Sequence, residues 1–109
     1  MAIPLKLREE LATDPYYKKC CLTGTMSEKI DWHHNFNFAG KNINENWCIL
    51  PLANSIHQYH KGITSDVKEK LNWIMYNRAD DETLKRYSKA KDLIKEKLRL
   101  NKKYGNYQG

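Results

Sequence analysis

The chain has 109 residues, a length that fits one domain with a modest core. It contains no apolar run long enough to cross a bilayer, and its start, "MAIPLKLREE", lacks the apolar segment of a signal peptide. We therefore expect an intracellular, cytoplasmic protein without a membrane partner. Three cysteines, two of them adjacent, exclude an ordinary disulfide framework and predict reduced thiols.

The net charge of +6 is concentrated near the C-terminus. Between Glu82 and Lys103 there are nine basic and three acidic residues, which accounts for the whole excess. A basic segment of this kind suits a polyanion, and nucleic acid is the commonest one. A solvated helix face with lysines for solubility explains the same charge, so charge alone leaves the two interpretations open.

The first half of the chain predicts a helix followed by two strands. Residues 4–13 have helical spacing, with Leu7 and Leu11 on one face, and a turn is expected near Gly24. "KIDWHH" predicts a strand, "NFNFAGKNINEN" a polar loop, and "WCILPL" a short buried strand. Pro51 then marks either the end of that second strand or an edge position.

Three helices are predicted in the second half. "ANSIHQYHK" forms the first, which Gly62 ends, and "SDVKEKLNWIMYNR" forms the second, with Ser65 as its N-cap. "DDETLKRYSKAKDLIKEKLRLNKK" predicts one long third helix with the apolar stripe Leu84, Tyr87, Ala90, Ile94 and Leu98. The order α–β–β–α–α–α predicts a single α+β domain over residues 1–109, with a core at about 18–62 and basic helices at about 65–103.

All four histidines lie within 28 residues: His33, His34, His57 and His60. His60 alone is best interpreted as a surface residue, but a group of imidazoles favours metal binding or acid–base chemistry. A helix that returns His57 to the first strand would bring three imidazoles together. Two of them would leave a hard divalent cation largely hydrated, which suits Mg²⁺ or Mn²⁺ on a phosphate, and the third could deprotonate water.

Adjacent strand residues point to opposite faces, so His33 and His34 cannot share one role on a regular strand. We expect the strand to twist or to end at this pair. Asp31 should share a face with His33, where it either supports that side chain or is simply solvated, and the sequence leaves both interpretations open. Trp32 and Trp47 are expected to form the core of the strand pair rather than to stack on bases.

The stretch "DWHH…GKNINENWCILPLANSIHQYH" resembles the HNH endonucleases, the ββα-metal or His-Me finger nucleases. The resemblance is closest to small phage-type HNH proteins and covers roughly residues 18 to 100. It implies a ββα-metal core of hairpin plus helix, flanked here by an N-terminal helix and a C-terminal helical pair. It also implies that His33 and His57 bind the metal and that His34 is the general base.

In this family an asparagine of the loop orients the base. Asn46 and Asn44 are both candidates, and Asn46 is preferred. Cys48 occupies the position where some members have the asparagine. Many members also hold a structural zinc with two Cys-x-x-Cys pairs, but here the helix pair falls on Ala53 and Ile56. We therefore predict no structural zinc, and we expect the three cysteines to be small buried residues.

The resemblance implies a Mg²⁺- or Mn²⁺-dependent DNA endonuclease that leaves 5′-phosphate and 3′-hydroxyl ends. The cations expected to contact DNA phosphates are Lys41, Lys61, Lys89, Lys95 and Arg99. The alternative is a non-cleaving DNA-binding recombination or packaging accessory protein on a degenerate HNH fold. A zinc-binding module for a protein partner is a third interpretation. A homodimer and a phage recombination or packaging partner both remain open.

Overall fold

The protein is a mixed α+β structure with short strands and helices. The computed structural model describes residues 3–58, 63–87 and 92–107. Its strands are β1 (Ile30–His34), β2 (Asn37–Phe38), β3 (Lys41–Asn42) and β4 (Ile49–Ala53). Its helices are α1 (Leu5–Thr13), α2 (Asn54–Gln58), α3 (Ser65–Arg78), α4 (Asp81–Lys85) and α5 (Leu93–Tyr104). Among the described residues, no helix is both long and apolar enough to span a bilayer.

The central sheet consists of β1 and β4, which pair antiparallel. Ile30 lies opposite Ala53, and His34 lies opposite Ile49. All five residues of β4 are buried, as its continuous apolar run predicts. Pro51 lies inside β4 opposite Trp32, so of the two positions predicted for it, the edge position is the one found.

The segment predicted as a polar loop contains a small hairpin of β2 and β3. Its two-residue turn is Ala39-Gly40, and both residues have positive φ, at 54° and 79°. Such turns match the twist of the flanking strands but usually carry Asn-Gly or Asp-Gly. The sequence Ala-Gly lacks that signal, which explains why the hairpin was not predicted.

Two of the predicted helices are confirmed almost residue for residue. α1 buries Leu11 in a small cluster with Ile3, Tyr17 and Ile49, and Leu7 packs against the same cluster. α3 spans Ser65–Arg78 as predicted, but its N-cap is the preceding residue. Thr64 Oγ1, and not Ser65, accepts the hydrogen bond from the Val67 backbone N–H, at 3.3 Å.

The prediction of one helix from Asp80 to Lys103 is wrong. α4 ends at Lys85, and α5 starts at Leu93, where Asp92 Oδ1 accepts from the Lys95 N–H at 3.0 Å. Because α4 and α5 are separate helices, the helical periodicity does not run from one into the other. The predicted apolar stripe is therefore broken between them. Leu98 is 64 % exposed, whereas Leu93 and Leu100 are buried. The C-terminal helical pair is thus a group of three helices, and Ala90 lies outside the described residues.

The main core lies between β4 and the C-terminal helices. Leu50 and Leu52 of β4 are fully buried there with Leu71 and Met75 of α3. Trp47 is 4 % exposed in the same core, and Trp32 is half-buried beside Tyr17. The expectation that both tryptophans belong to the core around the strands is confirmed. This packing fixes β4, and β4 in turn fixes the polar strand β1.

Candidate active site

Asp31 on β1 and His57 on α2 form a hydrogen-bonded pair. The Nδ1 atom of His57 lies 3.0 Å from Oδ2 of Asp31, and the Asn54 side-chain amide donates to the same oxygen, also at 3.0 Å. A carboxylate oxygen only accepts, so Nδ1 of His57 carries the hydrogen. In the neutral ring, the lone pair therefore lies on Nε2, which is the arrangement of a metal-ligating histidine held by a carboxylate.

His33 lies beside this pair, because it shares a face of β1 with Asp31. Its ring centroid is 5.2 Å from that of His57, with the rings inclined at 68°. Burial is the largest cause that lowers the pKa of His33 below its usual value, and His57 lowers it further. His33 is therefore neutral at neutral pH, as a ligand must be. Asp31 was expected to support His33, and in the structure its carboxylate accepts a hydrogen bond from His57.

His34 has a different partner. Its Nε2 atom lies 2.8 Å from Oδ1 of Asn44, in the loop between β3 and β4. Since the amide oxygen only accepts, Nε2 carries the hydrogen and Nδ1 carries the lone pair. The nitrogen that can accept a proton from water is thus Nδ1.

The two adjacent histidines point to different parts of the protein, as strand alternation requires. His33 faces α2, and His34 faces the loop that contains Asn44. β1 ends at His34, as expected, but both histidines stay in register with β4, with His33 opposite Leu50 and His34 opposite Ile49. The strand end therefore does not turn His34 toward His33, and the expected meeting of three imidazoles is limited to His33 and His57. The side chain of His60 lies outside the described residues.

The structure brings Asn44 to His34, and not the preferred Asn46. Asn46 begins a short 3₁₀ turn, Asn46–Cys48, and its carbonyl accepts a hydrogen bond from the Tyr17 hydroxyl at 2.5 Å. β4 consequently begins at Ile49, two residues later than the predicted strand. That turn places Asn46 beyond the loop that reaches His34.

The cations predicted to contact DNA are in unlike environments. Lys41 is exposed on β3 and Lys95 is exposed on α5, whereas Lys61 and Lys89 lie outside the described residues. Arg99 is held by two carboxylates, with Nη2 at 2.5 Å from Glu96 and 3.3 Å from Glu69. Because these carboxylates already bind its guanidinium, Arg99 is less available to phosphate than the sequence suggested.

Lys68 is a cation near the site that sequence analysis missed. It lies in the first turns of α3, and its charge contributes to the lowered pKa of His33. Its sequence context, "SDVKEK", has balanced charge and gave no reason to select it. The only available signal was its position one turn after the N-cap of the helix that follows α2.

The three cysteines lie in largely buried surroundings. Burial raises the pKa of Cys21 and of Cys48 to about 12. Cys20 and Cys48 are buried and Cys21 is half-buried, close to the prediction of small buried residues.

The chain matches no protein-family model, no curated protein and no solved structure. Within residues 3–58, 63–87 and 92–107, no group of three or more His, Cys, Asp or Glu side chains is arranged to hold a metal ion. The site contains two neighbouring imidazoles, His33 and His57. Burial lowers the pKa of His33 and so favours its neutral form, and the hydrogen bond from Nδ1 of His57 to Asp31 leaves Nε2 of the neutral His57 ring with its lone pair.

Proposed function

We propose that the chain is a metal-dependent DNA endonuclease of the HNH type. The observation that carries the proposal is the division of two adjacent histidines between different partners. His33 lies with His57 and Asp31, and His34 is held by Asn44. Phosphodiester hydrolysis needs a cation for the leaving oxygen and a base for the attacking water, and the two groups suit these two needs.

His33 and His57 are the residues that would hold the cation. Two protein ligands leave most positions to water and phosphate, which is how Mg²⁺ and Mn²⁺ bind at phosphoryl sites. When bound, the cation neutralises negative charge on the scissile phosphate and the 3′ leaving oxygen. Asp31 orients His57 and raises the basicity of its Nε2 atom, which makes that nitrogen a better metal ligand.

His34 would act as the general base through Nδ1. The hydrogen bond from Nε2 to Asn44 fixes the ring and keeps the lone pair on the nitrogen that is free to accept a proton. The water that loses this proton attacks the phosphorus in line with the 3′ oxygen. The expected products carry 5′-phosphate and 3′-hydroxyl ends.

The order of elements supports the same proposal. β1 pairs with β4, and α2 begins immediately after β4, which gives a strand–strand–helix unit. The first strand carries the two histidines and the helix carries the third. A ββα-metal core has this arrangement, with the β2–β3 hairpin here as an elaboration of the connecting loop.

DNA would be bound mainly through its phosphates. Lys68 is exposed on α3, Lys41 is exposed on β3, and Lys95 is exposed on α5. Such contacts position the backbone without reading sequence, and they make affinity fall steeply with salt.

The test is nicking of supercoiled plasmid by the native protein and by His34→Ala, in Mg²⁺, Mn²⁺ or EDTA. The proposal predicts nicking with either metal, none in EDTA and none by the variant. If the native protein binds plasmid but leaves it intact in both metals, the non-cleaving accessory protein replaces the nuclease.

A further inference from the structure

A pocket of about 420 Å³ lies between the β2–β3 hairpin and α3. We call it the β2–α3 pocket, and it is defined by Asn35, Asn37, Phe38, Lys68, Asn72 and Tyr87. Its volume lies within the range of roughly 300–1,000 Å³ that is typical of small-ligand sites. None of the proposed catalytic groups lines it, so the proposed chemistry leaves it unexplained.

One lining residue connects the pocket to the histidines. Asn35 lines the pocket and follows His34 directly in the chain. Lys68 lines the same pocket from α3 and brings a positive charge to it. A group bound in the pocket would therefore lie next to a phosphate bound at His33 and His34.

One wall of the pocket is a fixed aromatic surface. Phe38 is half-buried, its ring stacks at 27° to the buried ring of Phe36 at 6.3 Å between centroids, and it meets Tyr87 edge-on at 5.4 Å. The Tyr87 hydroxyl donates to Glu45, which holds that ring in turn. Rigid aromatic faces of this kind stack on nucleobases without regard to sequence.

The other walls supply amides and a positive charge. Asn35 Nδ2 donates to Oδ1 of Asn72 at 3.0 Å, which leaves Nδ2 of Asn72 without a partner among the described residues. Asn37 uses its own Nδ2 toward Asn42, so its Oδ1 is likewise available within that part of the chain. A donor, an acceptor and a lysine, with no carboxylate among the lining residues, suit a base attached to a phosphate backbone.

We propose that the β2–α3 pocket receives one unstacked nucleobase from the strand whose phosphate lies at His33 and His34. This inference rests on the proposed function, and it specifies the substrate class as DNA with an unpaired or extruded nucleotide. In fully paired DNA the base must first leave the stack, which costs free energy, whereas an unpaired base is already free to enter. The protein therefore prefers bulged or branched DNA to a perfect duplex.

The test compares two DNA duplexes by fluorescence anisotropy in EDTA, where no cleavage occurs. Both carry a one-nucleotide bulge, which is adenosine in one duplex and an abasic tetrahydrofuran in the other. The native protein should bind the adenosine bulge about tenfold more tightly, as one base–aromatic stack requires. Phe38→Leu keeps apolar volume but removes the stacking face, so the ratio should fall below about twofold while abasic affinity stays unchanged.

Two further variants keep the test decisive. Asn37→Ala on the exposed hairpin serves as the second pocket variant if Phe38→Leu does not fold. It removes one amide from the pocket and should lower the ratio of the two affinities by about two- to fivefold. Tyr104→Leu, an aromatic replacement on α5 outside the pocket, should leave the ratio as in the native protein. A native ratio of one, or a ratio that neither pocket variant lowers, overturns the inference, and so does a failure to bind either duplex.

This result is separable from the fate of the nuclease. A protein that nicks plasmid but shows no preference for the adenosine bulge keeps the endonuclease and loses the pocket. A protein with a Phe38-dependent preference that never nicks keeps the pocket as a DNA-binding feature and loses the endonuclease.

Discussion

The Nδ1 atom of His57 lies 3.0 Å from Oδ2 of Asp31, so a carboxylate on β1 fixes an imidazole on α2. Both groups are partly buried, with side-chain exposures of 28 % and 11 %. The pair ties the helix to the strand and sets which nitrogen of His57 can bind a cation.

Asp31→Asn should weaken Mn²⁺ binding by roughly 10- to 100-fold, the usual effect of removing the carboxylate behind a ligating histidine. The neutral amide no longer fixes the Nδ1–H tautomer or raises the basicity of Nε2. Isothermal titration calorimetry with Mn²⁺ measures the change. Asp81→Asn, which alters an exposed carboxylate on α4, is the matched control and should bind Mn²⁺ like the native protein. Equal affinity in the two variants would contradict the proposed role of Asp31.

Asn44→Ala should slow single-turnover plasmid nicking about fivefold, since the hydrogen bond that orients His34 contributes on the order of 1 kcal/mol. Asn46→Ala, two residues away, is the control, because the structure engages Asn46 through its backbone carbonyl. The nicking rates of the two variants at saturating Mg²⁺ are the measurement. A larger loss in Asn46→Ala would restore the original preference and remove Asn44 from the site.

The sequence alone did not show which of the two asparagines, Asn44 or Asn46, contacts His34. The strand β1 and the helices α1 and α3 have strong local patterns, and their bounds were predictable. The 3₁₀ turn Asn46–Cys48 has no periodic signal, yet it decides which asparagine reaches His34. A three-residue turn of this kind depends on tertiary contacts, such as that from Tyr17, which no local pattern encodes.

The prediction for the C-terminal region was wrong for a different reason. An unbroken run of helix-forming residues predicted one helix, but Asp92 caps a new one at Leu93 and changes which leucines are buried. Lys68 was missed because its effect on His33 arises from the tertiary fold and not from its neighbours in sequence. The candidate ligands His33 and His57 were predictable as a set, since their spacing and residue type were visible, but the bond from Asp31 to His57 was not.

Lys68→Ala should lower the slope of log affinity against log salt by about one, the effect of losing one phosphate contact. Lys70→Ala is the matched control, because its side chain leaves α3 on another face and is exposed. Arg99→Ala should change the slope little, since Glu96 and Glu69 already engage that guanidinium. Anisotropy titrations of a DNA duplex at several salt concentrations provide the slopes. Equal slopes for Lys68→Ala and Lys70→Ala would exclude a phosphate contact by Lys68.

Ala39→Asn should raise the free energy of unfolding by about 0.5–1 kcal/mol, because asparagine tolerates the positive φ of 54° better than alanine does. The expected rise in Tm is a few degrees for a domain of this size. Gly40→Ala is the opposing control. No atom lies within 4 Å of a Cβ at Gly40, so its loss of stability reports backbone strain alone. Thermal unfolding followed by circular dichroism measures both, and a lower Tm for Ala39→Asn would refute this account of the turn.

The most direct test of the account compares His33→Ala with His34→Ala in two assays, Mn²⁺ binding by calorimetry and plasmid nicking in Mg²⁺. The account predicts that both variants lose nicking but that only His33→Ala loses metal affinity, while His34→Ala binds Mn²⁺ like the native protein. Adjacent residues with the same side chain would then be shown to have separate roles. Equal metal affinity in the two variants, or nicking that survives in His34→Ala, would contradict the division between a ligand and a base.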